Sequence, residues 1–475
     1  MISYFPKYFT NRAIALYVVL LVLIPVIFGH AMTWYWWVFG LVEVLGFFFF
    51  SNILPKQWSN SVGKFFIRNV FLTALFVRIA FVLFSYFFYI NTNGTFFEFG
   101  AADSFTYHVF GEKGADMIAN GQFDFWNQFN AMGLFTRGID ASDLGYPIYL
   151  SFLYFLTGKS IIFVRIVKAL LSSITVVLAY RIAQRNFDEG TARLTAVFCT
   201  LMPNLIFYCG AHVKETEMLF LTVLFIDRAD LLIRGKRIKW TQIFECTIIC
   251  VMTYFFRAVL SIVLGLSLLT GLLLSSSSVA PKIKRLSIAG LIVLLMGTVF
   301  WNTISESLNL ADYSNLQAQQ EQNMQWRSER NNGNQFAKYA GAAVFAPLIF
   351  TIPFPTMVDI PYQETQQMIH GGNFVKNITS FFTILALLIL LKTGDWRERV
   401  LPLAFMCGYL VVLVFSNFAQ SERFHIPILP FSLMLAAYGI SLFKKKHMQW
   451  FSLWLAFIFV ANIGWAWFKL RGRGM

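Results

Sequence analysis

Of the 475 residues, 57% are apolar and 13% charged, whereas a water-soluble domain carries about 45–50% and about 25%, so a soluble globular fold is excluded. The net charge of +14 is not a nucleic-acid footprint. Lys56 and Lys64, Arg181 and Arg185, Arg234 to Lys239, Lys282 to Arg285, Lys392 to Arg399 and Lys444 to Lys446 flank apolar blocks in short loops, as the positive-inside bias asks of cytoplasmic ends.

Those blocks are long enough to cross about 30 Å of hydrocarbon as helices and show no period of two, which excludes a β-barrel. Lys7 and Arg12 precede a first apolar run with no small-x-small cleavage pattern, so it reads as a retained span. With the N-terminus cytoplasmic, spans are predicted at 13–29, 33–50 and 65–90. The loop 91–145 then carries Glu98, Asp103, Asp116, Asp124, Asp140 and Asp143 against Lys113 and Arg137, the reverse of the inner loops, and belongs outside. The apolar stretch 146–157 is too short to cross and reads as a helix in the outer interface. Further spans are predicted at 160–181, 190–208, 213–233, 241–256, 258–275 and 285–304. A second outer segment, 305–373, precedes the last four, at 374–391, 400–417, 425–442 and 449–468. The expectation is an all-α polytopic membrane protein of about 13 transmembrane helices with outer juxtamembrane helices. That count leaves the tail, with Lys469, Arg471 and Arg473, outside and against the positive-inside bias.

Ionisable residues within such spans need a partner or a water-filled cavity. Arg165 and Lys168, three residues apart on one helix face, lie in the outer half of their span, and Lys214, Glu215 and Glu217 open another from the same side. Arg257 sits at an outer turn, and Arg423 and His425 open the span at 425. Such a group of cations suits a lipid-linked phosphate, Arg supplying a fork of donors and Lys a point charge. The competing reading is that they snorkel to the interface or pair with Glu215 and Glu217. Arg78 and Glu43 lie nearer mid-span and are expected to pair with each other. Asp230 and Arg234 have the i, i+4 spacing of a structural ion pair.

In the first outer loop Asp103 opens a surface helix, where it acts either as a cap or as a general base facing the cations. Tyr107 and His108 follow within the same helix and join the substrate-binding candidates, His108 and His425 as hydrogen-bonding residues and not as ligands. HExxH, DxD, G-x-S-x-G and the P-loop are all missing, so no metal, cofactor or cytoplasmic nucleotide sugar is expected. Cys199, Cys209, Cys246, Cys250 and Cys407 read as small core residues.

Three stretches in order carry a family resemblance: AADSFTYH at 101–108, the run from GYPIYLSFLYFLTGKSIIFVRIVKALL to LIFYCGAHVKE over 145–215, and ERFHIPILPFSLMLAAYGI at 422–440. Together they resemble the GT-C polytopic glycosyltransferases, in particular the family 39 group of protein O-mannosyltransferases and lipid A aminoarabinose transferases. The resemblance covers 65–275 well and implies a catalytic transmembrane module there, with two extra spans in 1–64 and a C-terminal transmembrane module in 276–475. It also implies a polyprenyl-phosphate-linked sugar as donor and Asp103 as the catalytic carboxylate, with Ser104 next to it where several relatives have Glu. The expected enzyme is an inverting, metal-independent transferase of the bacterial inner membrane, its site facing outward. It would pass the sugar to a glycan, lipid or protein hydroxyl, with membrane lipid as its surroundings. The rivals are an O-antigen polymerase or ligase and a lipid-linked glycan flippase; that no inverted repeat is visible weighs against a carrier.

Overall fold

A computed structural model describes residues 4–61, 63–133, 141–235, 239–275, 346–416 and 419–475, with Ser287 and Gly290. The expected span at 285–304 and the first part of the outer segment 305–373 lie outside the described residues apart from Ser287 and Gly290 in the sequence leading into and through that span. The chain is an all-helical, multi-pass membrane protein, with no strand among the described residues.

The elements are α1 (Lys7–Phe28), α2 (Trp34–Gln57), α3 (Lys64–Asn93), α4 (Ala102–Ala119), α5 (Phe125–Ala131), α6 (Gly145–Thr157), α7 (Ile161–Asn186), α8 (Glu189–Leu201), α9 (Pro203–Gly210), α10 (Glu215–Arg234), α11 (Trp240–Phe256) and α12 (Ala258–Leu274). Beyond the undescribed stretch come α13 (Glu364–Met368), α14 (His370–Thr393), α15 (Val400–Phe415), α16 (Glu422–His425), α17 (Leu429–Ser441) and α18 (Met448–Arg471). Among the described residues, eight helical segments are long and apolar enough to cross a bilayer, nine if α8 and α9 form one bent span. The described residues do not confirm the expected thirteen: α11 and α12 have 17 residues each, α10 carries Glu215, Glu217, Asp227, Arg228, Asp230 and Arg234 within its 20, and the span expected at 285–304 lies outside them.

Burial separates core from rim. The most apolar window of α14 is 67% buried and that of 422–441 is 83% buried, against 33% for α1 and α2 and 28% for α3 and for the α18 segment. The four rim helices present Val26, Val42, Phe76 and Val460 outward, as lipid contact requires. One face of the bundle is marked by contacts between distant segments. The Asp359 N–H donates to His30 O (3.2 Å) and Thr365 Oγ1 to Phe99 O (2.8 Å). Lys469 Nζ donates to Gln363 Oε1 (3.0 Å) and Gln366 Oε1 (2.7 Å), and Arg473 Nη1 to Pro361 O (2.7 Å). The ends of α1, α3 and α18 therefore share the face that carries α4. Two of the tail cations that break the positive-inside pattern are held there by oxygens of 361–366.

The bend between α8 and α9, 42°, follows from Pro203. Proline pushes Met202 into extended backbone (φ −64°, ψ 114°) and has no N–H to offer Cys199 O four residues back. Arg78 supplies the missing donors, Nη2 to Cys199 O (3.0 Å) and Nη1 to Thr200 O (3.3 Å), with Nε on Ser172 Oγ (2.7 Å). Glu43 Oε2 instead accepts from Gly372 N (2.9 Å) at the start of α14. The expected Arg78–Glu43 pair is thus not formed. A cation at carbonyl ends and an anion at amide starts each find a helix terminus of complementary sign. The Asp230–Arg234 pair is present at 2.9 Å, and Arg185 adds bonds to Asp227 (2.7 Å) and Asp230 (2.6 Å).

The surface helix α4 lies on α6 through glycine. A Cβ added at Gly114 would stand 1.9 Å from Ser151 Oγ and 2.7 Å from Ser151 Cβ, and one at Gly111 would stand 2.9 Å from Leu150 Cβ. Gly114→Val must therefore push α4 off α6, at about 1–3 kcal/mol. The expected outcome is a lower unfolding temperature in detergent, together with loss of whatever α4 positions. An unchanged midpoint would show that the contact is looser than drawn.

Candidate functional site

Asp103 sits in the first turn of α4 behind Ala101, and its carboxylate caps no amide of that helix. It is turned outward to Arg423, whose Nη1 donates to Oδ2 at 2.5 Å. Arg423 Nε donates in turn to Glu215 Oε1, so one guanidinium joins an exposed carboxylate on the surface helix to a fully buried one at the start of α10. Among the described residues no protein donor reaches Asp103 Oδ1.

Two more cations stand beside this chain. Lys214, just before α10, is 4% exposed at its side chain and pairs with Asp143 at 2.5 Å. Its Nζ lies 5.9 Å from the centroid of the Tyr107 ring. Arg257, at the tight turn between α11 and α12, stacks on Phe424 at 4.5 Å. Among the described residues its buried Nη1 has no hydrogen-bond partner, nor has Glu215 Oε2. Tyr409 of α15 lies against Arg257 and Glu215. Burial pushes the Tyr107 phenol up, with Arg423 acting against that, so Tyr107 is a neutral hydroxyl on the wall. Asp103, Tyr107, Lys214, Glu215, Arg257 and Arg423 thus converge from α4, α10, the α11–α12 turn and α16.

The remaining candidates make their contacts elsewhere. Arg165 and Lys168 are fully buried and turned to backbone oxygen: Arg165 Nη2 to Phe96 O (2.5 Å), Lys168 Nζ to Ala211 O (2.7 Å) and to Val213 O. They fasten the 94–101 loop and the α9–α10 connection that present Asp103 and Lys214. Glu217 lies 3.8 Å from Lys168. His425 Nε2 donates to Ala419 O (2.7 Å), which leaves Nδ1 to accept from Lys376 Nζ (2.9 Å). His108 faces Tyr154, whose hydroxyl bridges His108 Nδ1 (2.7 Å) and His212 Nε2 (3.1 Å).

Four residues of the site escape sequence reasoning: Asp143, Glu98, Tyr409 and Phe424. Asp143 and Glu98 stand out only as loop acids, and the loop gives no period that would say which acid turns inward. Glu98 accepts from Ser104 Oγ and from the His212 N–H (3.2 Å), and so ties the start of α4 to the turn before Lys214.

The His108–Tyr154–His212 array makes stability depend on pH. Among the described residues the buried His212 Nδ1 has no partner, so the proton belongs on Nε2, donated to the Tyr154 oxygen, and the Tyr154 hydroxyl donates to His108 Nδ1. Burial first, then Arg165, Lys168 and His108, hold His212 well below 6.5. Burial also lowers His108, with Glu112 opposing. Above about 6.5 neither the folded nor the unfolded chain binds these protons. Below it only the unfolded chain does, so stability falls as pH falls toward the depressed native values. Each pH unit costs up to about 1.4 kcal/mol per histidine. Melting in detergent between pH 7 and 5 should show a declining midpoint, and His212→Gln should flatten it. A flat wild-type profile overturns the assignment.

Among the described residues no three His, Cys, Asp or Glu side chains are grouped to hold a metal ion. Neither the protein-family models nor the curated proteins contain a match to this chain.

Proposed function

We propose that the chain is a GT-C-like sugar transferase of about 13 spans in a bacterial plasma membrane, its Asp103 face outward. It takes the sugar from a polyprenyl-phosphate donor. The observation that supports this most is the Asp103–Arg423–Glu215 chain flanked by Lys214 and Arg257: a carboxylate with one free oxygen beside cations on a membrane face.

In the proposed reaction the acceptor hydroxyl oxygen attacks the anomeric carbon and its proton passes to Asp103 Oδ1. The bond from that carbon to the phosphate oxygen breaks, its electron pair leaving with polyprenyl phosphate. Direct displacement inverts the anomeric centre. Arg257, through its unpartnered Nη1, and Lys214, through its remaining ammonium protons, hold the departing phosphate, which is where electrostatic stabilisation counts most. Glu215 keeps Arg423 oriented, and Arg423 keeps the Asp103 carboxylate aimed.

The direct test is purified protein in proteoliposomes with a synthetic polyprenyl-phosphate sugar, read by release of polyprenyl phosphate and by mass shifts in envelope glycolipids and glycoproteins between wild-type and deletion strains. Arg257→Gln should lower transfer about 10²–10³-fold, as removal of a transition-state donor does. Wild-type protein that translocates the donor without releasing its phosphate would overturn the reading in favour of a carrier.

A further inference from the structure

The opposite face of the bundle carries a second cationic feature, independent of the transfer reading. α1 and α18 run parallel from that face, with Phe9 against Phe451 (ring centroids 4.9 Å) near their starts. Between them lies a shallow, open-sided groove of about 530 Å³ lined by Arg12, Ala15, Leu16, Ser452, Leu455, Ala456, Phe459 and Val460. Ala15, Ser452 and Ala456 are small enough to leave the concavity, and Leu16, Leu455 and Phe459 form walls of hydrocarbon. Arg12 closes one end. Its Nη1 donates to Ser452 Oγ (3.1 Å) and its guanidinium stacks on Tyr8 at 4.4 Å, which fixes the plane, and no carboxylate among the described residues pairs with it.

The two chain segments that form the groove carry charge of one sign. Lys7 and Lys444 to Lys446 are exposed at the starts of the two helices. The sequence holds no Asp or Glu before Glu43 and none after Glu422. Trp450, 65% exposed, stands at the same level, as tryptophan does at a headgroup boundary. Arg12 lies five residues into α1, about 8 Å from Lys7 along the axis, the depth of a phosphate below a lysine-rich surface. A slot that is apolar along its length and cationic at one end matches one molecule of the bilayer itself: an acyl chain in the groove and an anionic headgroup on a guanidinium.

We infer that the α1–α18 groove is a binding site for an anionic phospholipid of the leaflet opposite the Asp103 face, its phosphate on Arg12 and one acyl chain along Ala15, Leu455, Ala456 and Phe459. Bulk electrostatic attraction would need only the lysines, whereas the stacked, hydrogen-bonded Arg12 and the small-residue floor give the lipid a defined seat.

The test is native mass spectrometry of the full chain released from nanodiscs of phosphatidylcholine containing phosphatidylglycerol, with retained lipid counted. Wild type should keep phosphatidylglycerol over phosphatidylcholine. Arg12→Gln should weaken that retention about five- to tenfold, and Arg12→Lys should restore part of it. Ala456→Phe, which fills the groove and leaves every charge in place, should weaken it as much. Equal retention of the two lipids by wild type overturns the site. So does an Ala456→Phe variant that binds like wild type, which would reduce the effect to surface charge. Preferential retention of polyprenyl phosphate, or a second copy of the chain cross-linked through Ala456→Cys, overturns the assigned occupant.

Discussion

Asp103→Asn should lower sugar transfer by about 10²–10⁴-fold, the usual contribution of a general base, while the protein accumulates in the membrane as wild type does. The substitution is chosen because it separates chemistry from architecture. Asparagine keeps an oxygen that can accept from Arg423 Nη1, so the link from α4 to α16 at 2.5 Å survives with one charge fewer. What it cannot do is take a proton from the acceptor at neutral pH. Asp103 is also half-exposed and caps nothing in α4, so losing its charge costs the helix no more than the about 0.3–1 kcal/mol of a first-turn carboxylate. Asp103→Glu should recover part of the rate, with the carboxylate displaced by one methylene. The comparison with Glu215→Gln is instructive: Glu215 is fully buried beneath Arg423, and its loss leaves a guanidinium free to swing, so both variants should be slow but only Glu215→Gln should change detergent stability. Proteoliposomes in which Asp103→Asn transfers at the normal rate would remove the base from the mechanism and favour a polymerase or ligase that needs cations alone.

How much of this was legible in the sequence depends on what each residue answers to. Residues that answer to the bilayer were readable. The short helix expected at 146–157 is present as α6, Gly145–Thr157, the span expected at 65–90 lies within α3, and that expected at 160–181 coincides with α7 from Ile161 on. Hydrophobic length and flanking Gly or Ser signals decide those, and both are local. Arg165 and Lys168 do share a face, as their spacing requires, yet their acceptors are the carbonyls of Phe96, Ala211 and Val213. Irregular backbone has no sequence signature as an acceptor, so a cation meant for a loop and a cation meant for a phosphate look the same along the chain. Asp143 and Lys214 are 71 positions apart, and nothing short of the packed α4–α6–α10 corner would bring them together. The span expected at 190–208 contains Pro203 in plain view, and the structure bends there by 42°. The repair of that break was not legible, because the residue that supplies it is Arg78, on another helix.

That repair sets the largest structural effect expected here. Arg78→Met removes donors from Cys199 O, Thr200 O and Ser172 Oγ at once. Each buried group left unpaired costs about 1–3 kcal/mol, so a loss on the order of 3 kcal/mol is expected, seen as a lower unfolding temperature in detergent and a lower membrane yield. Glu43 will not compensate, since it is committed to Gly372 N at the head of α14. Pro203→Ala distinguishes lost hydrogen bonds from lost packing. Alanine restores the N–H that lies four residues beyond Cys199 and lets α8 continue toward α9, so one carbonyl orphaned by Arg78→Met regains a donor within its own helix. The double variant should therefore be more stable than Arg78→Met alone, while Pro203→Ala alone should cost stability, because Arg78 Nη2 then faces a Cys199 carbonyl already satisfied and competes for it. A double-mutant cycle in which the two losses simply add would mean that the guanidinium is held for its volume and not for the carbonyls.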